Sequence, residues 1–255
     1  GVTVNTGGQN SIVASTGNDT VSLNSSTSDT VNAGAGNNSI IASGGGHHSI
    51  IAAGGNDSIS LTNNTSDTID AGNGNNKITV DGGDYNKITT GSDADDITVS
   101  SGSHHNTINA GNGNNNLTIA GYHNDVVSGT GDDHITVSGT DNTVHAGDGN
   151  DNITISGTDN HIYGEAGDDN IVQTINGNNY IDGGSGADHI TVPNGNHWLV
   201  DGNDDNDTIT VGSNNWSIYG GGGNDSIVGS DDNYIHGGYG GYIASTLSGH
   251  PIPAD

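Results

Sequence analysis

The chain has 255 residues and a formal net charge of −28, and Lys77 and Lys87 are its strongly basic side chains. Such a surface repels nucleic acid and anionic membranes, so neither is expected as a partner, and no apolar run is long enough for membrane insertion. Only 28% of the residues are hydrophobic, 45 are glycine and none is cysteine. The composition therefore excludes disulfides and thiolate metal sites, and a compact fold needs regularly placed apolar residues and bound cations.

The few apolar residues recur with a nearly constant period. Residues 2–4 already read apolar, polar, apolar, and an aliphatic residue then follows about every nine or ten positions from Ile12, through Leu199, to Ile235. An alternation such as Ile135-Thr136-Val137 predicts a strand too short to stand alone. Two such half-turns give one coil of 18–20 residues. Stacked coils predict an all-β parallel β-solenoid with two sheets and about 13 coils.

The same period defines the expected organisation of the chain. A 38-residue super-repeat covers 12–125, and 18-residue coils are expected after it. We expect 1–244 to form a single solenoid domain. Residues 245–255 contain Pro251 and Pro253 and are expected to cap the solenoid or dock elsewhere. Because an uncapped first strand exposes a sheet edge, we expect head-to-tail stacking of copies into filaments, or else a cell-surface or glycan partner.

The turns that precede every second aliphatic residue are rich in glycine and acidic residues, as in 147–154, 183–191 and 221–228. These segments resemble the RTX, or hemolysin-type, calcium-binding repeat, whose nonapeptide is G-G-x-G-x-D-x-U-x. The resemblance implies a β-roll in which Ca²⁺ lies between stacked turns, held by the aspartate and by turn carbonyls. Carried onto this chain, the implied metal ligands are Asp19, Asp57, Asp95, Asp133, Asp151, Asp169, Asp188, Asp207 and Asp225.

The aspartate position is not uniform along the chain. Asn38, Asn76 and Asn115 alternate with aspartate in the first half, whereas the second half is an unbroken run of aspartates. We expect the second half to be the tightest calcium column, because stacked carboxylates about 4.8 Å apart repel one another unless metal lies between them. The asparagines predict either weaker calcium sites or stacked amide side chains.

The opposite turns depart from the family pattern. Their matching positions are asparagines, which predict a hydrogen-bonded ladder on that edge in place of a second calcium column. The positions are Asn86, Asn106, Asn124, Asn142, Asn160, Asn179 and Asn233.

Two outward columns of side chains are candidate contact surfaces. A regular threonine column resembles the surfaces of ice-binding solenoids, and comprises Thr79, Thr98, Thr118, Thr136, Thr154, Thr191 and Thr210. An aromatic face on the other sheet predicts glycan or protein contacts, and comprises His161, Tyr163, Tyr180, Trp198, Tyr219 and Tyr234.

No nucleophile elbow, P-loop or zinc motif occurs in the sequence, so we expect no enzymatic activity. The leading interpretation is a secreted bacterial protein, extracellular or at the cell surface and stiffened by Ca²⁺, such as a matrix filament, a surface-layer component or an adhesin stalk. The alternatives are an ice-binding solenoid that uses the threonine column and a glycan-binding adhesin module that uses the aromatic face.

Overall fold

The structure is a computed structural model that describes residues 1–193, 199–212, 217–229 and 233–238. The regular elements of these residues are all strands, and none is a helix that could cross a membrane. The strands are β1 (Val2–Gly8), β2 (Ser11–Val13), β3 (Thr20–Thr27), β4 (Thr30–Asn32), β5 (Ser39–Ser43), β6 (Ser49–Ile51), β7 (Ser58–Thr62), β8 (Thr68–Gly72), β9 (Lys77–Asp81), β10 (Gly83–Asp84), β11 (Lys87–Thr90), β12 (Asp96–Val99), β13 (Ser103–His104), β14 (Thr107–Asn109), β15 (Asn116–Ile119), β16 (Asp125–Thr130), β17 (His134–Val137), β18 (Thr143–Asp148), β19 (Asn152–Ile155), β20 (His161–Ala166), β21 (Asn170–Gln173), β22 (Tyr180–Ser185), β23 (His189–Val192), β24 (Leu199–Asp204), β25 (Thr208–Val211), β26 (Ser217–Tyr219), β27 (Ser226–Val228) and β28 (Tyr234–His236).

The chain divides into two compact units, Gly1–Thr130 and Gly131–Asp255. In the first unit, seven parallel strands form one sheet in the order β1-β3-β5-β7-β9-β12-β15, and seven form a second sheet in the order β2-β4-β6-β8-β11-β14-β16. Val21 pairs with Ile40, and Ile40 pairs with Ile59, so the 38-residue super-repeat consists there of two 19-residue coils. In its last copy the coils have 20 and 18 residues, because Ile88 pairs with Ile108 and Ile108 pairs with Val126. The parallel β-solenoid with two sheets is confirmed.

The described part of the second unit repeats this plan with six strands in each sheet, in the orders β17-β19-β21-β23-β25-β27 and β18-β20-β22-β24-β26-β28. Its coils do not all have 18 residues. Ile153 pairs with Ile171 at a spacing of 18, but Ile171 pairs with Ile190 at a spacing of 19. The extra residue lies in the turn between β21 and β22, because Ile162 pairs with Ile181, also 19 residues on.

A second half-turn of ten residues, from Ile190 to Val200, shifts one position of the core. Val200 pairs with Ile181 and with Ile218 and is fully buried, whereas Leu199 lies at the half-buried outer side of β24. The prediction that Leu199 is the interior residue is therefore wrong, because the preceding half-turn has ten residues and moves the buried side by one position.

The interior is a thin double row of aliphatic side chains. Ile or Val residues such as Ile40 and Ile153 are fully buried, and small residues such as Ala33 and Ala146 lie on the inner side of the other sheet. Burial of one such Ile or Val contributes about 1.5–3 kcal/mol, while ordering one residue costs about 1–2 kcal/mol. Each coil orders far more residues than it buries aliphatic side chains, so the turns must contribute substantially to stability.

Candidate metal centre

The turn that leads into each strand of the first sheet carries one aspartate or asparagine, two residues before the first buried aliphatic. We call these positions the Asx column. Since the strands are paired in register, the positions lie one above another within each unit. The column comprises Asp19, Asn38, Asp57, Asn76, Asp95 and Asn115 in the first unit, and Asp133, Asp151, Asp169, Asp188, Asp207 and Asp225 in the second.

All members of the Asx column except the half-buried Asp19 are at most 2% exposed. In Asp57, in Asp95 and in the aspartates from Asp151 onward, one carboxylate oxygen joins two coils. The backbone N–H of Asp151 donates to Oδ1 of Asp169 at 2.8 Å, and the N–H of Asp169 donates to Oδ1 of Asp188, also at 2.8 Å. The same bond continues to Asp207 and Asp225. Each of these aspartates therefore satisfies the N–H of a turn in the preceding coil with a charge-assisted bond.

The second carboxylate oxygen is left without such a role. Seven aspartates of the Asx column have a buried Oδ2 that accepts no hydrogen bond within the described part of the chain, namely Asp57, Asp95, Asp151, Asp169, Asp188, Asp207 and Asp225. A buried charged oxygen without a partner carries its full desolvation cost. A regular row of such atoms indicates that a cation completes the structure.

The pKa values of these carboxyls also indicate that their buried negative charge is unfavourable. Burial raises the pKa of Asp169 to about 8; the bond from the N–H of Asp151 opposes this shift, and the charges of Asp151 and Asp188 add to it. Burial likewise raises the pKa of Asp151 and of Asp207 to about 7. Without a cation, the column would therefore hold protons near neutral pH to limit its buried charge.

Four coils leave a defined space beside the unpartnered oxygen. A Cβ atom placed on Gly183 would lie 2.3 Å from Oδ2 of Asp188 and 3.0 Å from the carbonyl oxygen of Gly202 in the next coil. Gly164, Gly202 and Gly220 face Asp169, Asp207 and Asp225 in the same way. Two oxygens thus converge on a point that any side chain would fill, and we call these spaces the glycine cradles.

The donor set of the cradles suits a hard cation. Among the described residues, no three His, Asp or Glu side chains are grouped to hold a metal. A bound ion would therefore take one carboxylate from a coil and its remaining oxygens from main-chain carbonyls and neighbouring coils. Ca²⁺ accepts six to eight oxygen ligands of this mixed kind, whereas transition metals favour nitrogen or sulfur.

The glycines of these turns have two separate functions. Gly167 and Gly186 have φ angles of 132° and 125°, which side chains rarely adopt, so they permit the tight turns. Gly164 and Gly183 do not have such angles and are needed for space. This second function was not predicted from the sequence, although glycine five residues before the aspartate, where other coils have Ala, Ser or Thr, was a visible signal.

The asparagine ladder predicted on the opposite edge is confirmed. The N–H of Asn86 donates to Oδ1 of Asn106, and the N–H of Asn142 donates to Oδ1 of Asn160, both at 2.9 Å. This edge also has ionisable members that were not predicted: the buried Asp29, His48 and Asp67 occupy the equivalent positions before β4, β6 and β8. Each of them lies two residues before a buried aliphatic residue, Val31, Ile50 or Ile69, and this spacing could have identified them from the sequence.

The threonine column is interrupted. Thr98 pairs with Thr79 and Thr118, Thr136 pairs with Thr154, and Thr191 pairs with Thr210. Val172 lies between Thr154 and Thr191, and Ile41 occupies the same column earlier in the first unit. The neighbouring outward column contains an exposed ion pair, Lys77 to Asp96 at 3.2 Å. The register of these threonines is as expected, and ice binding through them stays a prediction.

The aromatic face separates into two groups. His161 stacks on Tyr180 with ring centroids 5.6 Å apart, and Tyr163 lies 5.5 Å from Tyr180. Tyr219 stacks instead on His236, and Tyr234 is 58% exposed two strands beyond β24. Trp198 lies outside the described residues, and the half-buried Leu199 aligns with Ser217 and thus occupies the outward position expected for Trp198.

Stacked parallel coils with buried carboxylates, turn carbonyls and glycine cradles define a calcium-type β-solenoid. Comparisons with known proteins identify the repeat. The family described as RTX calcium-binding nonapeptide repeat (4 copies) matches residues 4–26, 23–59, 175–196 and 201–235. A second family, described as a protein of unknown function (DUF3060), matches residues 133–179. The chain thus carries RTX calcium-binding repeats, and these repeats support Ca²⁺ as its cofactor.

One solved structure is similar to the chain. It is a hyperactive, Ca²⁺-dependent, β-helical antifreeze protein from an Antarctic bacterium, with 21% sequence identity and a TM-score of 0.56. The alignment covers 96% of this chain and 82% of that chain, so it supports the β-solenoid fold over nearly the whole length. No curated protein matches the sequence.

Proposed function

We propose that this protein is a non-enzymatic extracellular scaffold that becomes stiff when Ca²⁺ fills the Asx column. The row of buried, unpartnered Oδ2 atoms carries this proposal. An ion there would join one coil to the next, and the aspartates that would hold it are at most 2% exposed. A catalytic metal keeps a coordination position open to substrate, whereas a buried ion between coils has a structural role.

The expected location outside the cell follows from calcium supply. Extracellular calcium modules commonly bind with dissociation constants of about 10⁻⁴–10⁻³ M, far above cytosolic calcium. A solenoid that needs Ca²⁺ to offset its acidic column would therefore become rigid after export. A secreted bacterial protein of this kind could serve as a filament, a surface-layer component or an adhesin stalk, and head-to-tail stacking of copies remains part of this proposal.

The test is a calcium titration of the metal-free chain, followed by far-UV circular dichroism and by thermal melting. We expect β signal and melting temperature to rise with Ca²⁺ and to rise much less with Mg²⁺, because Mg²⁺ demands a small octahedral site and gives up its waters reluctantly. An unchanged melting temperature over the whole titration would refute the scaffold proposal.

Ice binding is the second candidate, favoured by the in-register threonines of β9, β12 and β15 and by the antifreeze activity of the similar structure. The assay is thermal hysteresis in the presence of Ca²⁺. Thr98→Lys should abolish hysteresis if the threonine column binds ice. Thr107→Lys is the matched control, because Thr107 is exposed on the other sheet. Equal hysteresis in both variants would remove the threonine column as the ice-binding surface.

Glycan binding is proposed for the stacked group His161, Tyr163 and Tyr180, because half-buried aromatic rings held by stacking offer flat apolar surfaces to sugar rings. Loss of binding on a glycan array by Tyr163→Ala would support it. An array that the unmodified protein does not bind would refute it.

A further inference from the structure

The first unit contains its own comparison between aspartate and asparagine at the same position. The two side chains have the same shape, and one oxygen acts identically in both. The N–H of Asp19 donates to Oδ1 of Asn38 at 3.0 Å, and the N–H of Asn38 donates to Oδ1 of Asp57 at 2.7 Å. The coils therefore differ in the other terminal atom, which is Nδ2 in asparagine and Oδ2 in aspartate.

The amide nitrogen of Asn38 donates to three main-chain carbonyls. It lies 3.1 Å from the oxygen of Gly34, 3.0 Å from that of Gly36 and 3.4 Å from that of Ala52 in the next coil. Asn76 repeats the arrangement with Gly72 at 3.1 Å and Gly74 at 2.8 Å. The partial positive charge of the amide thus lies in a cage of carbonyl oxygens that spans two coils.

The next-coil carbonyl of this cage also lies beside the unpartnered oxygen in aspartate coils. Ala52 lies five residues before Asp57, and Gly183 lies five residues before Asp188, so their carbonyls hold equivalent places. The Gly183 carbonyl oxygen and Oδ2 of Asp169 both lie 2.3 Å from the point where a Cβ on Gly164 would be. The carbonyl bound by the amide in one coil therefore faces a bare carboxylate oxygen in another.

Two chemical solutions can close such a cage. An N–H donor satisfies the carbonyls directly, whereas a carboxylate oxygen adds negative charge and needs a cation to bridge it to the carbonyls. A coil with asparagine has the donor built in. A coil with aspartate lacks it.

We infer that Asn38 and Asn76 are covalent substitutes for Ca²⁺: their amides close the coil without metal and exclude the ion from it. This inference rests on the proposed calcium role of the Asx column. Since three of the six column positions are asparagine in the first unit and none is in the second, the first unit requires fewer ions. The glycine cradles also lie in the second unit. Calcium dependence is therefore graded along the chain, with the stronger dependence in the second unit.

The first test exchanges the two chemistries in the full chain and counts bound Ca²⁺ by native mass spectrometry in volatile buffer with excess calcium. Asn38→Asp should bind one ion more than the unmodified protein, and its melting temperature without metal should fall. Asp57→Asn should bind one ion fewer and should melt without metal at an equal or higher temperature. The control Asn116→Asp, an exposed position of β15, adds the same charge and should leave the ion count unchanged.

The outcomes separate this inference from the calcium scaffold itself. A protein that binds no Ca²⁺ would refute the scaffold. If the protein binds Ca²⁺ but the ion count is the same in Asn38→Asp and Asp57→Asn, the calcium scaffold stands. That result would refute only the inference that the asparagine amide takes the place of Ca²⁺. If Asn38→Asp does not fold without metal, its count is still measured in excess Ca²⁺, and Asp57→Asn decides the metal-free arm.

A second readout uses the unmodified protein. Hydrogen exchange during a calcium titration should show the strands around Asn38 and Asn76 protected at lower Ca²⁺ than those around Asp169 and Asp188. Simultaneous protection of both units at one calcium concentration would contradict the graded dependence.

Discussion

Substitution of Gly183 tests the glycine cradles, because a side chain on this residue would fill the space between two coils. In Gly183→Ala the new methyl group would lie 2.3 Å from Oδ2 of Asp188 and 3.0 Å from the carbonyl oxygen of Gly202. Both distances are too short for contact with carbon, so the carboxylate must move away from the place where the ion is expected. Ala146 precedes Asp151 at the equivalent position and is buried, which indicates that the fold tolerates a methyl group there.

The expected loss concerns the calcium-dependent part of stability. A tenfold weaker site costs about 1.4 kcal/mol, and complete loss of a site held at 100 times its dissociation constant costs about 2.7 kcal/mol. For a domain of this size, 1 kcal/mol shifts the melting temperature by about 2–4 °C, so we expect the rise on adding Ca²⁺ to shrink by about 3–10 °C.

The matched control is Gly54→Ala, since a Cβ on Gly54 would meet nothing within 4 Å and its backbone is not left-handed. This variant should keep the full rise in melting temperature with Ca²⁺. Differential scanning calorimetry with and without Ca²⁺ measures both variants. An unchanged calcium-dependent rise in Gly183→Ala would refute the cradle as the ion site.

Two further predictions concern pH and the opposite edge. The pKa of Asp169 is raised to about 8 and that of Asp151 to about 7, so the folded metal-free protein favours protonated carboxyls. Its melting temperature should therefore fall as pH rises from 5 to 8 in buffers stripped of metal. Asp169→Asn should flatten this slope and the exposed Asp125→Asn should not; equal slopes would contradict the assignment. Asn160→Ala removes the acceptor of the Asn142 N–H and should lower the free energy of unfolding by about 1–3 kcal/mol, measured by denaturant unfolding. The loss should be equal with and without Ca²⁺. A calcium-dependent loss would place an ion on that edge.

The sequence predicted the stacking well because the signal is periodic. Ile40, Ile59 and Ile153 are buried where the nine- and ten-residue spacing places them, and the Asx column and asparagine ladder follow from the same spacing. One irregular half-turn was enough to exchange Leu199 and Val200, since a shift of one residue reverses the two sides of a strand.

The chemistry of individual atoms was harder to predict. Asn38 and Asp57 look interchangeable in a repeat motif, and the difference emerges once the carbonyls of Gly34, Gly36 and Ala52 surround the amide. Likewise, the need for glycine at Gly183 depends on the carboxylate of Asp188 and a carbonyl from the next coil. Such requirements depend on contacts across coils, which one turn of sequence does not contain.

Anomalous scattering from crystals grown with Ca²⁺ would show where the chain binds its ions. We expect anomalous peaks between successive coils beside Oδ2 of Asp169, Asp188 and Asp207, and no peak beside Nδ2 of Asn38. Water in place of metal at the three aspartates would contradict the calcium scaffold, and a peak beside Asn38 would contradict the asparagine substitution.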